Sequence, residues 1–167
     1  MTTSTSLNVH EKVSKSSARI EFRGKLDSLN ARIILFQANS QNEEFIADLE
    51  EVREVVRKLQ RCEACDEVFA ERLTLWGLDE DKIHSLSHNP EKGHILPHYE
   101  MRCEAAELNF LRTFIREAEI CACRAFDDND KLRIIHILNR LSSALYILTY
   151  KYLPENYDKI INFRAKK

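Results

Sequence analysis

Only three glycines and three prolines interrupt 167 residues. Tight turns and sheet-rich folds use both types freely, so this scarcity directs the chain toward long helices. Between the breaks, apolar residues recur at helical spacing. The pattern predicts a first helix over about 18–38, with Ile20, Leu26, Leu29, Ile33, Leu35 and Phe36 inward. A second is predicted over about 43–76, with Phe45, Leu49, Val52, Val56, Leu59, Val68, Phe69 and Leu73 as core and Gly77 as its stop. A short helix over about 79–88 begins near Asp79 or Asp81. Long helices follow over about 100–126 and 131–152; the run Asp127-Asp128-Asn129-Asp130 caps the last one and Pro154 ends it. The predicted fold class is all-α, an up-and-down bundle of about five helices over 15–153. Residues 1–14 read as a mobile N-terminal arm and 154–167 as a C-terminal tail.

A formal net charge of −2 gives no support for nucleic-acid binding. No apolar run approaches the roughly 20 residues of a membrane span. The start MTTSTSLNVHEK is polar and has no signal-peptide core. The five cysteines are an odd number in a chain of this size, which points to reduced thiols and a cytoplasmic setting.

Three predicted helices place a polar stripe beside an apolar one. Asn109, Arg112, Arg116 and Glu119 fall within roughly 80° of arc next to Leu108, Leu111, Ile115, Ala118 and Ala122. Arginines at a core margin need an anionic partner, because an unpaired buried charge is costly. That partner is a carboxylate of this chain, one from another subunit, or a phosphate. Asn139, Ser142 and Tyr146 repeat the pattern on the last helix, as do Arg19, Arg23, Asp27 and Asn30 on the first. In a bundle such stripes can converge on one cleft, within or between subunits. The plainer alternatives are ordinary surface ion pairs among Arg112, Arg116 and Glu119, a local Arg23–Asp27 bridge, and a core amide at Asn139.

The segment 89–99 is the only real loop inside the domain, and His84, His88, His94 and His98 crowd around it. Cys62 and Cys65, with His84 and His88, have a spacing that zinc permits. The competing reading makes the cysteines small buried residues and the histidines polar loop and capping groups. Cys103, Cys121 and Cys123 read as helix packing, and Trp76 and Phe126 as core. A di-iron bundle needs paired Glu-x-x-His motifs on facing helices, and the predicted helices carry no such pair.

Two stretches carry a family resemblance. The first is KSSARIEFRGKLDSLNARI, Lys15 to Ile33. The second runs from GLDEDKIHSLSHNPEKGHILPHYEMRCEAAELNFLRTFIREAEICACRAF to IIHILNRLSSALYIL. Together, over about 15–37 and 77–152, they resemble the corrinoid adenosyltransferases of the propanediol-utilisation type, and more closely the ethanolamine-utilisation branch. The resemblance implies a ferritin-like helical bundle, a homotrimer with sites between subunits, and one reaction. Reduced cob(I)alamin attacks C5′ of ATP, adenosylcobalamin forms, and polyphosphate leaves with Mg2+ as its counter-ion. It further implies that Arg116 contacts the polyphosphate and that Arg112 pairs with Asp27 of the partner subunit. Glu119 orients the arginines or the ribose, Asn139 binds nucleotide, and Lys15 and Arg19 add phosphate contacts. His94, Leu96 and Pro97 would face the corrinoid. The implied partners are a reductase and an adenosylcobalamin-dependent enzyme such as ethanolamine ammonia-lyase, with a bacterial microcompartment as a further expected location.

The sequence departs from the propanediol type in two places. Nothing in residues 1–14 matches its Thr-x-Thr-Gly-Asp-x-Gly-x-Thr nucleotide loop, and His94 stands where those enzymes place a Phe before the Leu-Pro loop. Members of the ethanolamine branch can also carry an N-terminal extension with a Cys-Cys-x-x-Cys motif, and the sequence is expected to begin after it. The departures motivate a competing reading, a corrinoid-binding or storage module on the same bundle. A helical interaction scaffold that binds neither ligand is a third.

Overall fold

The structure is a computed structural model that describes residues 4–7, 12–14, 16–89, 93–126 and 132–161. Among them are five α-helices: α1 Ala18–Asn39, α2 Glu43–Ala64, α3 Glu80–Ser87, α4 Arg102–Ala125 and α5 Leu132–Tyr152. The predicted all-α bundle is therefore present. Strands are confined to three short antiparallel pairs. Strand β1 (Ser4–Ser6) pairs with β2 (Lys12–Ser14), β3 (Thr74–Leu75) with β4 (Leu78–Asp79), and β5 (His94–Ile95) with β6 (Ile160–Ile161).

Local chemistry sets the helix starts. The Ser17 hydroxyl accepts from Ile20 N, Asn42 Oδ1 from Phe45 N at 3.2 Å, and Asp79 Oδ1 from Lys82 N at 2.8 Å. Each satisfies a backbone donor that has no partner within its helix. The expected cap of α5 in residues 127–130 lies outside the described residues.

Helix packing runs α2–α1–α4–α5, with α3 laid against α5. Asp48 of α2 closes the ring by accepting from Lys151 Nζ at 2.6 Å and Tyr152 Oη at 2.7 Å on α5. Phe22, Leu26, Leu29 and Ile33 of α1 are fully buried, against Phe45, Leu49, Val52, Val56 and Leu59 of α2 and the apolar stripes of α4 and α5. Phe126 is buried and meets Phe22 edge-on, with ring centroids 5.4 Å apart.

Two expectations are corrected. Leu35 is 54% exposed and Phe22 takes the inward place, because 22, 26, 29 and 33 form the true helical repeat and position 35 lies on the far side of it. The second helix ends at Ala64, not near Trp76. Asp66 adopts φ 58°, which a continuing helix excludes, and the chain turns back as the β3–β4 hairpin. Trp76 and Gly77 are its two turn residues, with φ 52° and 74°. Two positive φ values in a two-residue turn match the strand twist, and Gly77 supplies one without strain. The apolar residues read as helix instead serve the hairpin and its approach; Val68 is 54% exposed, while Phe69, Leu73 and Leu75 are buried. Trp76 is partly buried and its indole N–H donates to Asp48 O at 3.2 Å.

The described segments 4–7 and 157–161 both pack on the bundle. Leu7 is buried, and its carbonyl accepts from Arg23 Nη2 at 2.7 Å. Residues 157–161 run beside the His94 segment: Leu96 N donates to Lys159 O at 2.9 Å, and the Tyr157 hydroxyl donates to Leu96 O.

Candidate functional site

Helices α4 and α5 form the most extensive packing in the bundle, and their polar stripes meet along it. Asn139 Nδ2 donates to Glu119 Oε1 at 3.0 Å. One turn back on α4, Arg116 and then Arg112 open onto a cavity of about 320 Å³. Ser142, Ser143 and Tyr146 line it from α5, Ser87 and His88 from the end of α3, and His94 and Ile95 from β5.

The electrostatics of this cavity are one-sided. Arg112 is half-buried, and its Nε is shielded from solvent with no hydrogen-bond partner among the described residues. Its remaining contacts are a long 3.4 Å bond from Nη2 to Asn109 Oδ1 and the Tyr146 ring, 5.8 Å from its guanidinium carbon. Burial and the neighbouring Arg116 hold the Arg112 guanidinium below its ordinary value. Arg116 is exposed and makes neither ion pair nor hydrogen bond among the described residues. The alternative of a surface ion-pair set is not what forms, since Glu119 turns to Asn139. Two guanidinium groups one helical turn apart, with no carboxylate bonded to them among the described residues, have the chemistry to receive a polyanion. A third arginine lies nearby on α5: Arg140 Nη1 is 2.7 Å from His84 Nδ1, and with burial and His88 it holds that imidazole below its usual range.

The stripe of α1 lies elsewhere in the chain. Arg23 donates to Glu63 through Nε at 2.6 Å and Nη2 at 3.1 Å, and Arg19 Nη2 donates to Glu63 O at 3.2 Å. Arg19 Nη2 also lies 3.5 Å from Glu63 Oε1, and Glu63 is 1% exposed, so both arginines are held by a buried residue of α2 and not by the cavity. Asp27 accepts from Gln60 Nε2 at 2.8 Å and is otherwise exposed; the local Arg23–Asp27 bridge is absent. Within one chain, then, two of the three stripes converge, those of α4 and α5. The sequence signal that was missed is Glu63 itself, a carboxylate continuing the buried repeat of Val52, Val56 and Leu59.

Asn139 is exposed, not a core amide. His94 faces the cavity, while Leu96 and Pro97 are exposed beside it on the same loop. Lys15 lies outside the described residues. The zinc candidates do not assemble, and no group of three or more His, Cys, Asp or Glu suited to a metal occurs among the described residues. Cys62 is buried in the last turn of α2 and Cys65 is exposed, whereas His84 and His88 stack on each other at α3, ring centroids 4.3 Å apart. Among the described residues, no helix is long and apolar enough to cross a membrane.

The sequence model of the family described as cobalamin adenosyltransferase matches residues 2–152. The chain belongs to that family. It is 36% identical over 154 residues to the corrinoid adenosyltransferase EutT of Salmonella typhimurium, and 33% identical over the same length to EutT of Escherichia coli K12. Each match covers 87% of this chain and 57% of the relative, so the chain spans little more than half the length of these curated relatives. Among solved structures, it resembles a PduO-type ATP:corrinoid adenosyltransferase from Lactobacillus reuteri, a phenylalanine-to-histidine variant complexed with cobalamin and ATP. That similarity has a TM-score of 0.62 at 19% identity, over 90% of this chain and 91% of the other, and it establishes the shared fold. As a cobalamin adenosyltransferase family member, the chain carries Arg112 and Arg116, without an ion pair among the described residues, on the α4–α5 seam of that fold.

Proposed function

We propose that this chain transfers the 5′-deoxyadenosyl group of ATP to reduced cob(I)alamin, forming adenosylcobalamin. The observation that carries the reading is the pair Arg112 and Arg116, facing a cavity with no carboxylate partner among the described residues. In the transfer, the cobalt electron pair forms the Co–C5′ bond as the C5′–O bond breaks, and that bond's electrons leave on the polyphosphate. Arg116 stabilises this departing charge, where a fixed guanidinium outperforms solvent. Asn139 and Glu119, already bonded to each other, hold the nucleoside end; Lys15 and Arg19 would serve the phosphates from the first helix of a neighbouring subunit, since within one chain Arg19 is turned to Glu63 and lies outside the cavity. His94, Leu96 and Pro97 face the corrinoid. Mg2+ would ride on the polyphosphate, since no cluster of acidic or imidazole ligands is available for it among the described residues.

A homotrimer fits the leftover valences. The partnerless Nε of Arg112 and the exposed Asp27 are two halves of an ion pair that one chain does not make, and Asp27 of the partner subunit would complete it. Leu35, Phe110 and Ile120 leave large apolar surface exposed on α1 and α4 for such contacts. The setting we propose is the bacterial cytoplasm, with a reductase upstream and an adenosylcobalamin-dependent enzyme such as ethanolamine ammonia-lyase downstream. Association with a microcompartment belongs to the same reading, which rests on the EutT relatives.

A second reading, a corrinoid carrier, is favoured by His94 at the cavity, because an imidazole can occupy the lower face of cobalt instead of clearing it. The Lactobacillus reuteri structure is that of a phenylalanine-to-histidine variant holding cobalamin together with ATP, so a histidine introduced in this fold is compatible with bound nucleotide. Calorimetric titration with MgATP separates the two readings. Saturable heat supports the transferase; cobalamin binding with no heat from MgATP supports the carrier.

A further inference from the structure

The backbone on both sides of His94 is held by two tyrosines of α5. Tyr150 donates its hydroxyl proton to Gly93 O at 2.8 Å. Its oxygen lies 3.0 Å from the Tyr146 hydroxyl, and Ile95 N reaches Tyr146 Oη at 3.4 Å. The direction of the chain follows from proton counting. The Tyr150 proton is committed to Gly93 O and the Ile95 N–H is a donor, so Tyr146 donates to Tyr150. The result is a relay from Ile95 N–H through both hydroxyls to Gly93 O, which closes a ring of bonds around residue 94. Tyr146 also carries the Arg112 guanidinium over its ring and lines the cavity. The two rings meet edge-on, centroids 5.4 Å apart, which fixes their spacing one helical turn apart.

We propose that Tyr146 and Tyr150 are positioning residues that set where His94 stands relative to Arg112. The assignment rests on the adenosyltransferase reading for its effect on turnover, but not for the clamp itself. Burial and the bond to Tyr146 push the Tyr150 phenol above its ordinary range, so it remains protonated and a donor. Gly93 has φ 68°, a conformation other residues adopt with strain, and its carbonyl is the one Tyr150 holds. On the outer side, β6 pairs with β5, so the segment is gripped by α5 within and by the C-terminal strand without. Displacement of a reacting or contacting group by about 1 Å costs up to roughly a hundredfold in rate. A hydroxyl pair that fixes one loop against one cavity is therefore a lever on turnover.

Tyr150→Phe and Tyr146→Phe keep the rings and remove one hydroxyl each. Two measurements on each variant test the proposal: hydrogen exchange of the peptide covering 93–96, and steady-state adenosylation with cob(I)alamin and MgATP. The expected result is faster exchange at 93–96 with α1 and α2 unchanged, about tenfold to a hundredfold lower kcat, and a KM for ATP within about twofold of the parent. Exchange at 93–96 equal to the parent overturns the clamp. Faster exchange with an undiminished kcat overturns the positioning role. If the parent protein makes no adenosylcobalamin, the functional reading fails, and the exchange data still decide the clamp.

Discussion

Asn139 on α5 donates to Glu119 on α4 at 3.0 Å, and this bond joins the two polar stripes one turn beyond Arg116. In the proposed site the pair holds the nucleoside. Asn139→Asp removes the donor and sets a second carboxylate against Glu119. Like charges at this spacing repel, and ATP binding is expected to weaken by about tenfold, a loss of roughly 1.4 kcal/mol. Calorimetric titration with MgATP reads this directly. An unchanged affinity would remove Asn139 from the site.

Arg116→Ala deletes an exposed guanidinium that supports nothing else in the chain among the described residues. Stability should change by no more than about 0.5 kcal/mol. Turnover should fall by about a hundredfold or more, the usual consequence of losing one donor to a developing anion. Circular dichroism and an adenosylation assay on the same preparation separate the two effects.

Glu63→Ala leaves Arg19 and Arg23 facing each other without their shared carboxylate. Breaking a buried ion pair from one side costs about 3 kcal/mol. Urea unfolding should show that loss as a lower midpoint with an unchanged slope. The double change Glu63→Leu with Arg23→Met should recover part of it, because the nearer of the two arginine charges is then gone as well.

Glu80 accepts from Arg133 Nη1 at 2.8 Å and Leu73 N at 2.8 Å, and lies 2.9 Å from His136 Nε2, tying α3 and the β3–β4 hairpin to α5. Chiefly through Arg133, its carboxyl is held down to about 2 from 4.5. A lowered folded-state value contributes stability that is complete above 4.5 and fades as pH falls toward 2. The unfolding midpoint of the parent should therefore drop across that interval more steeply than that of Glu80→Gln, which starts lower and has no such proton to take up. Parallel curves would show that the contact carries no weight.

The helical bundle was legible because scarcity of Gly and Pro and the 3.6-residue repeat act along one helix at a time. The same logic failed over 65–76, where Phe69, Leu73 and Leu75 are buried by a hairpin whose turn depends on positive φ at Trp76 and Gly77. Periodicity registers burial and is blind to the direction the chain takes. That Arg112, Arg116, Ser142 and Tyr146 would face one cleft, the candidate site, was legible as polar columns flush with core. The fate of Arg19 and Arg23 was not, because their partner Glu63 lies 40 or more residues away on another helix. The tyrosine relay was also hidden, since it joins side chains to peptide groups over 50 residues distant in sequence.

The central claim is tested most directly by an anaerobic assay of this chain with chemically reduced cobalamin and MgATP, followed by absorbance. The account predicts enzyme-dependent loss of the Co(I) spectrum and growth of an alkylcobalamin that light destroys. Cob(I)alamin that persists unchanged beside protein and MgATP, under conditions where both ligands bind, would contradict it.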